Sequence, residues 1–267
     1  MHIPQIQLFD RIKTGTVIAG LKYYAQILFI ILKMKISSSK NHSPYKSIGN
    51  SDSQTIIDNF HVLYESKHKQ TYDNTYWMGI RSMKCPLDLW IYQEILIKTK
   101  PDIIIETGTN EGGTTLFLAN ICDIMDNGEI ITIDISSPNE KPKHKRIHYI
   151  QGDATSKKTI TKIQQLVDKL DNNSDTKIMV ILDDEHSENH VFQEMEIYGK
   201  FVTPGNYLIV EDTSMGGHPV WSELKGGPME SVERYMKIYN DFEIDSAQEK
   251  FLLTFNPKGY LKKINSD

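Results

Sequence analysis

Residues 103–114 read Ile-Ile-Ile-Glu-Thr-Gly-Thr-Asn-Glu-Gly-Gly-Thr. The charge-free, β-branched start of this stretch is typical of a strand that is buried on both faces of a parallel sheet. An acid, a glycine turn and an amphipathic helix from about residue 114 to residue 122 follow it. Open α/β sheets bind ligands where a strand ends beside a helix N-terminus, and Gly108, Gly112 and Gly113 allow the backbone to approach a ligand closely. The stretch therefore predicts a ligand-binding crevice.

The spacing of the glycines favours a cofactor that carries no phosphate. A dinucleotide-binding turn needs G-x-G-x-x-G, whereas Gly108 is followed here by Thr109 and Asn110. A second strand that ends in an acid, Asp134, comes about one helix later, and an acid at that place commonly binds ribose hydroxyls. S-adenosylmethionine fits both features, with Glu106 near its ammonium group and Asp134 near its ribose. A plain strand–helix turn is the alternative.

Strand and helix patterns alternate from residue 86 onward. This alternation predicts an α/β fold, a Rossmann-like, doubly wound, mainly parallel sheet with helices on both faces. Two β patterns near the C-terminus are joined by only a few residues, so they should pair as an antiparallel hairpin. This architecture is the one expected of a class I methyltransferase. The predicted strands are 102–106, 130–134, 147–151, 177–182, 207–210, 242–246 and 250–256, and further predicted helices are 86–98, 157–170 and 188–201.

Four of the predicted parallel strands end in acids, and the carboxyl ends of parallel strands share one edge of the sheet. Asp183, Glu211 and Asp212 should therefore converge, and they would repel each other unless a cation lies between them. Carboxylate oxygens suit magnesium or another hard divalent cation. The alternative is that these acids cap helices or turns. His186 has three interpretations, as a general base, a metal ligand or a turn histidine, and Asp183 is a second candidate for the proton acceptor.

Further contacts are expected around the other strand ends. The adenine edge of the cofactor is assigned to 152–154, because the third strand end holds it in this fold. The loop 214–227 follows the metal acids directly and is interpreted as a lid or acceptor loop, with a simple connection as the alternative. Trp77, Gly79 and Arg81 are candidates for the border of the acceptor pocket. The predicted cofactor-binding residues are Glu106, Gly108, Thr109, Gly113, Thr114, Asp134, Asp153 and Ala154.

Several motifs between Trp77 and Leu261 form a specific set. They are IETG at 105–108, LDDEHSENHV at 182–191, YLIVEDT at 207–213, GP at 227–228 and NPKGYL at 256–261. This set resembles the cephalosporin hydroxylase / rhamnosyl O-methyltransferase family, over most of the chain except its N-terminal segment.

The resemblance implies a Rossmann-like fold that binds S-adenosylmethionine, and a divalent metal held by acids after the fourth and fifth strands. In this sequence the acids after the fifth strand are Glu211 and Asp212. At the fourth strand the family pattern is L-D-x-D-H, but Glu185 stands in place of the second aspartate, so either Asp183 or Glu185 is the ligand. Hydroxylase chemistry is not implied, because we find no facial triad of two histidines and a carboxylate.

These observations predict a divalent-metal-dependent O-methyltransferase. It would move a methyl group from S-adenosylmethionine to a hydroxyl of a sugar, a glycan or a small natural product, with Mg²⁺ or another hard divalent cation. Two alternatives are a nucleotide-cofactor oxidoreductase or hydroxylase-type enzyme, which would need the missing pyrophosphate turn, and a non-catalytic binding protein on the same fold.

Composition and charge limit the kinds of partner that this chain is expected to bind. The 267-residue chain has a formal net charge of −5 at pH 7, which gives no electrostatic reason to expect nucleic-acid binding. The two cysteines, Cys85 and Cys122, lack metal-ligand spacing. They are interpreted as free buried thiols of a protein in a reducing, cytoplasmic compartment.

The first 52 residues form a separate region by sequence. Residues 17–32 are apolar, are flanked by basic residues and are shorter than the roughly 20 residues that a membrane-spanning helix needs. Three interpretations stay open: a helix that packs on the body or on a second copy of the chain, a helix on a membrane surface, and a true anchor. A polar linker over 37–53 then leads into a methyltransferase domain predicted at 53–267.

Overall fold

The computed structural model describes residues 49–137, 140–171 and 175–264. The chain divides into two compact units, Met1–Ser53 and Gln54–Asp267. The predicted apolar helix at 17–32 lies outside the described residues, so its interpretations stay predictions. Within the described ranges, no helix combines the length and the apolar character that crossing a bilayer requires.

The second unit is built on one large β-sheet. The strands of the described residues are β1 (Tyr76–Trp77), β2 (Ile80–Arg81), β3 (Ile103–Thr107), β4 (Glu129–Asp134), β5 (Ile147–Gln151), β6 (Ile178–Leu182), β7 (Tyr207–Val210), β8 (Phe242–Ile244) and β9 (Tyr260–Lys263). β1 and β2 form a small antiparallel hairpin, and the other seven strands form a sheet in the order β5-β4-β3-β6-β7-β9-β8. The first five strands of that order are parallel, and β9 and β8 are antiparallel to their neighbours. The predicted fold class is confirmed.

The helices begin and end where local chemistry allows. They are α1 (Asn50–Ser66), α2 (Pro86–Thr99), α3 (Gly113–Met125), α4 (Lys157–Leu170), α5 (Glu188–Tyr198) and α6 (Pro228–Ile238). Short 3₁₀ segments lie at His68–Gln70, Tyr72–Asn74 and Ser246–Glu249. Pro86 opens α2, because its fixed φ suits the first helical position and its missing N–H has no partner there anyway. Ser156 caps α4 by accepting a hydrogen bond from the backbone N of Thr159 at 3.3 Å.

Hydrophobic clusters cover both faces of the sheet. Side chains of β3 alternate between them: Ile105 packs in the cluster that contains residues of α4 and α5, and Ile104 packs in the cluster that contains residues of α2 and α3. Both isoleucines are fully buried. A charged side chain at either position would lose its water without gaining a partner, which explains why this run carries no charge.

The last strand lies further along the chain than predicted. β8 pairs with β9 rather than with the predicted strand at 250–256. The carboxylate of Asp88 in α2 accepts hydrogen bonds from Thr254 Oγ1 at 2.5 Å and from the backbone N of Phe255 at 2.9 Å. These contacts hold the segment against α2, so its backbone is not available to a neighbouring strand.

Two other predicted boundaries are also corrected. The helix predicted over 188–201 ends at Tyr198, where the backbone N of Phe201 donates to Tyr198 O at 3.0 Å and forms a tight turn. The linker predicted over 37–53 overlaps the start of α1, which begins at Asn50. Cys85 and Cys122 are free and buried, as predicted.

Gly108, the first residue after β3, sets the distance between the ends of β3 and β6. Its φ of +84° lies in the left-handed region that favours glycine. A Cβ atom at this position would lie 1.9 Å from the backbone oxygen of Asp183, the first residue after β6. This close approach allows the two strand ends to share one crevice.

Replacing Gly108 by Ala should therefore destabilise the fold through two effects. The left-handed backbone costs an alanine about 1–2 kcal/mol, and the overlap with Asp183 adds about 1–3 kcal/mol. Gly205→Ala is the matched control, because Gly205 has a φ of +80° but no atom within 4 Å of an added Cβ. Urea unfolding measures both losses. Equal losses of unfolding free energy would show that the close approach at Gly108 does not constrain the fold.

Candidate active site

A cavity of about 790 Å³ opens at the carboxyl edge of the parallel strands. Each of these strands places a residue on its lining, at the strand end or just after it: Gly108 (β3), Asp134 (β4), Gly152 (β5), Asp183 (β6) and Asp212 (β7). The volume is within the range of small-molecule sites, roughly 300–1,000 Å³. The crevice that the sequence predicts is present at the predicted edge of the sheet.

The glycine turn and the end of β5 border the same cavity. Of the eight predicted cofactor residues, those that line it are Gly108, Thr109, Gly113, Thr114, Asp134, Asp153 and Ala154. A Cβ at Gly113 would lie 2.3 Å from the backbone oxygen of Arg81, so the turn packs directly on the segment that precedes α2. The structure thus brings these residues together, and their cofactor roles stay predictions.

Glu106 does not border the cavity. It is 1% exposed, and its Oε2 accepts hydrogen bonds from Thr115 Oγ1 at 2.5 Å and from Thr132 Oγ1 at 2.6 Å. Burial raises the pKa of the Glu106 carboxyl to about 7, while these two hydrogen bonds act in the opposite direction. In this geometry the Glu106 side chain links β3 to α3 and β4 inside the fold, and its contact with the ammonium group of a cofactor stays a prediction from the sequence.

Asp134 is held as a carboxylate by the backbone. Its Oδ2 accepts from the N of Asn110 at 2.7 Å, and its Oδ1 accepts from the N of Ser136 at 2.7 Å. Lys141 Nζ lies 3.3 Å from Oδ2. Burial opposes the charge of Asp134, but these contacts outweigh it and lower its pKa. A fixed negative charge therefore faces the cavity at the second strand end.

Asp183, His186 and Asp212 form an acid–histidine group on the cavity wall, which we name the first cluster. Their ligand atoms lie within 4.8 Å of one another. His186 Nε2 is 2.7 Å from Asp212 Oδ2 and 4.0 Å from Asp183 Oδ1. Although it is buried, this nitrogen has no partner aligned for a hydrogen bond among the described residues. Two carboxylates that converge on one space form a hard oxygen donor set that fits a divalent cation.

Comparison with known proteins identifies the family. Residues 69–264 match the family described as Rhamnosyl O-methyltransferase/CmcI. The chain belongs to this family. The rhamnosyl O-methyltransferase of Mycobacterium leprae (strain TN) is 38% identical over 211 residues, which are 74% of this chain and 90% of that protein. That of Mycobacterium bovis (strain BCG / Pasteur 1173P2) is 36% identical over 211 residues, 75% of this chain and 84% of that protein.

Solved structures show the same fold. A CmcI structure with Mg and SAM has a TM-score of 0.56 at 20% identity, and the match covers 72% of this chain and 78% of that chain. A CmcI apo-structure has a TM-score of 0.56 at 21% identity, covering 73% and 78%. The family that the motifs resemble is thus confirmed by the family match over residues 69–264, and these structures confirm the fold.

Two of the acids predicted as metal ligands from the family pattern lie outside the first cluster. Glu211 is 2% exposed, and its Oε1 accepts from Tyr92 OH at 2.7 Å while Lys84 Nζ lies 2.5 Å from its Oε2. Glu185 accepts from the backbone N of Ser187 at 3.0 Å and lies 3.3 Å from His190. Glu211 could join a metal only by exchanging its contact with Lys84 for one with the cation. The ligand roles of Glu185 and Glu211 stay predictions from the sequence.

Lys84 is a site residue that the sequence analysis missed. Its Nζ lies 2.5 Å from Asp183 Oδ2 and 2.5 Å from Glu211 Oε2. Burial alone would lower the pKa of this ammonium, but the charges of Asp183 and Glu211 outweigh burial and raise it. The lysine lies 99 and 127 residues away from these partners along the chain. It belongs to no motif, so only the tertiary structure reveals it.

His186 carries a proton in the described geometry. Burial disfavours its charged form, but contact with Asp212 and the charges of Asp212 and Asp183 outweigh burial and raise its pKa to about 9. A protonated ring cannot act as the predicted general base. His186 can therefore act as a general base only if a positively charged group offsets the negative charge of Asp183 and Asp212.

Another wall of the cavity is formed by the loop 214–227 and by the N-terminal part of the domain. Ser214, Met215, Val220 and Trp221 line it, and Trp221 Nε1 donates to Glu65 Oε1 at 3.0 Å. Among the predicted border residues, Arg81 lines the cavity. Trp77 instead packs on Phe117 with ring centroids 4.9 Å apart, and Gly79 lies in the β1–β2 turn, so neither borders the cavity.

Replacing Lys84 by Met should destabilise the protein by about 3–5 kcal/mol near pH 8, because two buried carboxylates lose their ammonium partner. The loss should shrink towards pH 5, because burial raises the pKa of Asp183 to about 6 and that of Glu211 to about 7, and protonated carboxyls need no partner. Guanidinium unfolding of the metal-stripped protein at both pH values measures this.

Lys250→Met is the control for Lys84→Met. Lys250 pairs with Glu94 on the surface, where water screens the ion pair and its contribution to stability is small. If Lys84→Met lowers the unfolding free energy no more than Lys250→Met does, this would contradict the conclusion that Lys84 stabilises the two buried carboxylates.

Glu106→Gln should flatten the pH dependence of stability. The folded protein holds a proton on Glu106 up to about pH 7, whereas an ordinary glutamate releases it near 4.5. The contribution of this bound proton to the unfolding free energy is complete below pH 4.5 and is lost as the pH rises through 7. The unfolding free energy of the wild type should therefore fall more steeply than that of the variant across this window, by up to about 1.4 kcal/mol per pH unit. Parallel curves, like those expected for the exposed control Glu243→Gln, would refute the assignment.

Proposed function

We propose that this protein is a divalent-metal-dependent O-methyltransferase. It transfers a methyl group from S-adenosylmethionine to a hydroxyl of a sugar, a glycan or a small natural product. The observation that carries the proposal is that the first cluster and the glycine turn face one cavity. Family membership supports it, since relatives at 38% and 36% identity are rhamnosyl O-methyltransferases.

The glycine turn and the ends of β4 and β5 form the cofactor side of the cavity. S-adenosylmethionine carries no phosphate, which agrees with the missing second glycine of a pyrophosphate-binding turn. Gly113 and Thr114 open α3 at the cavity, and the fixed carboxylate of Asp134 suits the ribose hydroxyls. Asp153 and Ala154 then border the position of the adenine.

The first cluster forms the metal side. Asp183 and Asp212 would hold the cation, with His186 beside them. A divalent cation held by these residues would supply Lewis-acid chemistry, which lowers the pKa of an acceptor hydroxyl. The fit rests on the hard oxygens of both aspartates, whose ligand atoms lie within 4.8 Å of each other.

The residues of the first cluster also supply the proton acceptor. The charges of Asp212 and Asp183 raise the pKa of His186 and favour its protonated form. A cation held by these aspartates would offset their charge and favour the neutral ring. His186 then accepts the proton of the acceptor hydroxyl, and Asp183 is the second candidate. Lys84 holds Asp183 in place from inside the fold. Orientation of the hydroxyl towards the methyl group supplies the rest of the acceleration.

The acceptor side is lined by aromatic and apolar side chains. Tyr72, Trp221, Phe255 and Met215 border the cavity beyond the first cluster. Apolar walls with a few polar groups are typical of small-molecule sites, and they suit the C–H faces of a sugar ring. We therefore favour a sugar hydroxyl as the acceptor.

Asp212→Asn tests this function. The variant should fold and bind S-adenosylmethionine, but it should lose at least about 100-fold in kcat/KM for transfer of a labelled methyl group to a rhamnoside acceptor. A chelator should abolish the wild-type reaction and Mg²⁺ should restore it. Circular dichroism checks folding, and calorimetry checks cofactor binding.

Asp126→Asn is the control, because the Asp126 side chain is 99% exposed and lies far from the first cluster in the fold. Unchanged, chelator-resistant methyl transfer by Asp212→Asn would refute the metal-dependent mechanism. Tight binding of NADH without binding of S-adenosylmethionine would favour the oxidoreductase instead.

A further inference from the structure

A second acid–histidine group lies beside the first cluster. It consists of Asp184, which follows β6, and of His190 and Glu194 in α5. His190 and Glu194 are four residues apart, so they lie on one face of the helix. Their ligand atoms and those of Asp184 all lie within 4.8 Å of one another. We name these residues the second cluster; Asp184 and His190 line the cavity.

Glu194 is the unusual member of the second cluster. It is 1% exposed, and neither of its carboxylate oxygens has a hydrogen-bond partner among the described residues. Within the same ranges, no lysine or arginine forms an ion pair with Glu194 or Asp184, and their ionic contacts are with His190. Burial and the charge of Asp184 raise the pKa of Glu194. An ionised carboxylate at this buried position is unfavourable without a positive partner, and a bound cation would compensate its charge.

The distances around His190 suit a cation. Its Nε2 lies 3.1 Å from Asp184 Oδ1 and 3.9 Å from Glu194 Oε2. Ligand atoms at about 2.0–2.2 Å from a shared cation lie about 3–4 Å from one another, so these spacings suit one cation. On the other side of the ring, Nδ1 lies 3.3 Å from Glu185 Oε2. A metal-binding histidine usually gives its second ring nitrogen to a carboxylate in this way.

We propose that Asp184, His190 and Glu194 form a second cation site that takes a borderline divalent cation such as Zn²⁺ or Mn²⁺. One imidazole and two carboxylates favour these ions over Mg²⁺, which prefers oxygen ligands alone. The cation neutralises Glu194 and ties α5 to the end of β6. Glu185 then orients His190 instead of binding the catalytic metal. This site goes beyond the proposed function, because methyl transfer does not require it.

Zinc titration of the metal-stripped, full-length chain tests the proposal. The measurement is made in the Asp212→Asn background, so that the first cluster does not contribute. In that background Zn²⁺ should bind with one equivalent. Adding Glu194→Gln should weaken this binding at least tenfold and abolish the rise in midpoint temperature that Zn²⁺ produces. Adding Glu196→Gln should change neither, because Glu196 lies in the same helix but bonds to Tyr239 instead.

His190→Gln provides a second test in case the Glu194→Gln variant does not fold. His190 is partly exposed, so the variant should fold, and its zinc binding should be weakened to the same extent. Zinc binding that survives Glu194→Gln or His190→Gln at the affinity of the Asp212→Asn parent would overturn the proposal. So would the absence of zinc binding to that parent. Because Asp212→Asn itself tests methyl transfer, failure of the second site and failure of the proposed function give different results.

Discussion

The contact of Lys84 with Asp183 and Glu211 is the interaction on which the rest of the site depends. Parallel strands bring their carboxyl ends to one edge, and this chain places an acid at most of those ends. Such acids cannot stay ionised side by side in a buried crevice without positive charge. One buried ammonium, that of Lys84, contacts both Asp183 and Glu211 from inside the fold and offsets one of their two negative charges. Asp212 forms an ion pair with His186 and, among residues 49–137, 140–171 and 175–264, with no lysine or arginine, so its carboxylate can accept an added cation.

A buried polar network joins this site to the C-terminal end of the sheet. Tyr92 in α2 donates to Glu211 and accepts from Asn256 Nδ2 at 3.1 Å, while Asn256 Oδ1 accepts from the backbone N of Asp212 at 3.0 Å. Asp88, one turn earlier in α2, holds the neighbouring residues Thr254 and Phe255. The segment that looks like a strand in the sequence therefore acts as a support for the acids after β7. Networks of this kind fix side-chain positions when every member is satisfied.

The sheet and its acidic edge could be predicted because strand periodicity and strand ends are local properties. The direction in which the acidic side chains at the strand ends point could not be predicted, because it depends on the exact register of each strand. β3 extends to Thr107, one residue further than predicted, so Glu106 continues the alternation of Ile104 and points to the α3 side. Glu211 likewise continues the alternation of Tyr207 and Ile209 and points towards α2. The position of Lys84 could not be predicted from local sequence patterns, because it results from packing between distant parts of the chain.

The central claim is that Lys84 offsets part of the charge of Asp183 and Glu211, and that Asp183 and Asp212 together can still hold a divalent cation. A crystal structure of the protein with S-adenosylhomocysteine and Mn²⁺, with anomalous diffraction data, tests it most directly. The account predicts an anomalous peak in contact with Asp183 and Asp212, next to the cofactor analogue and with Lys84 still within the acidic edge. The absence of a peak there, with the carboxylates joined only to Lys84 and His186, would contradict it.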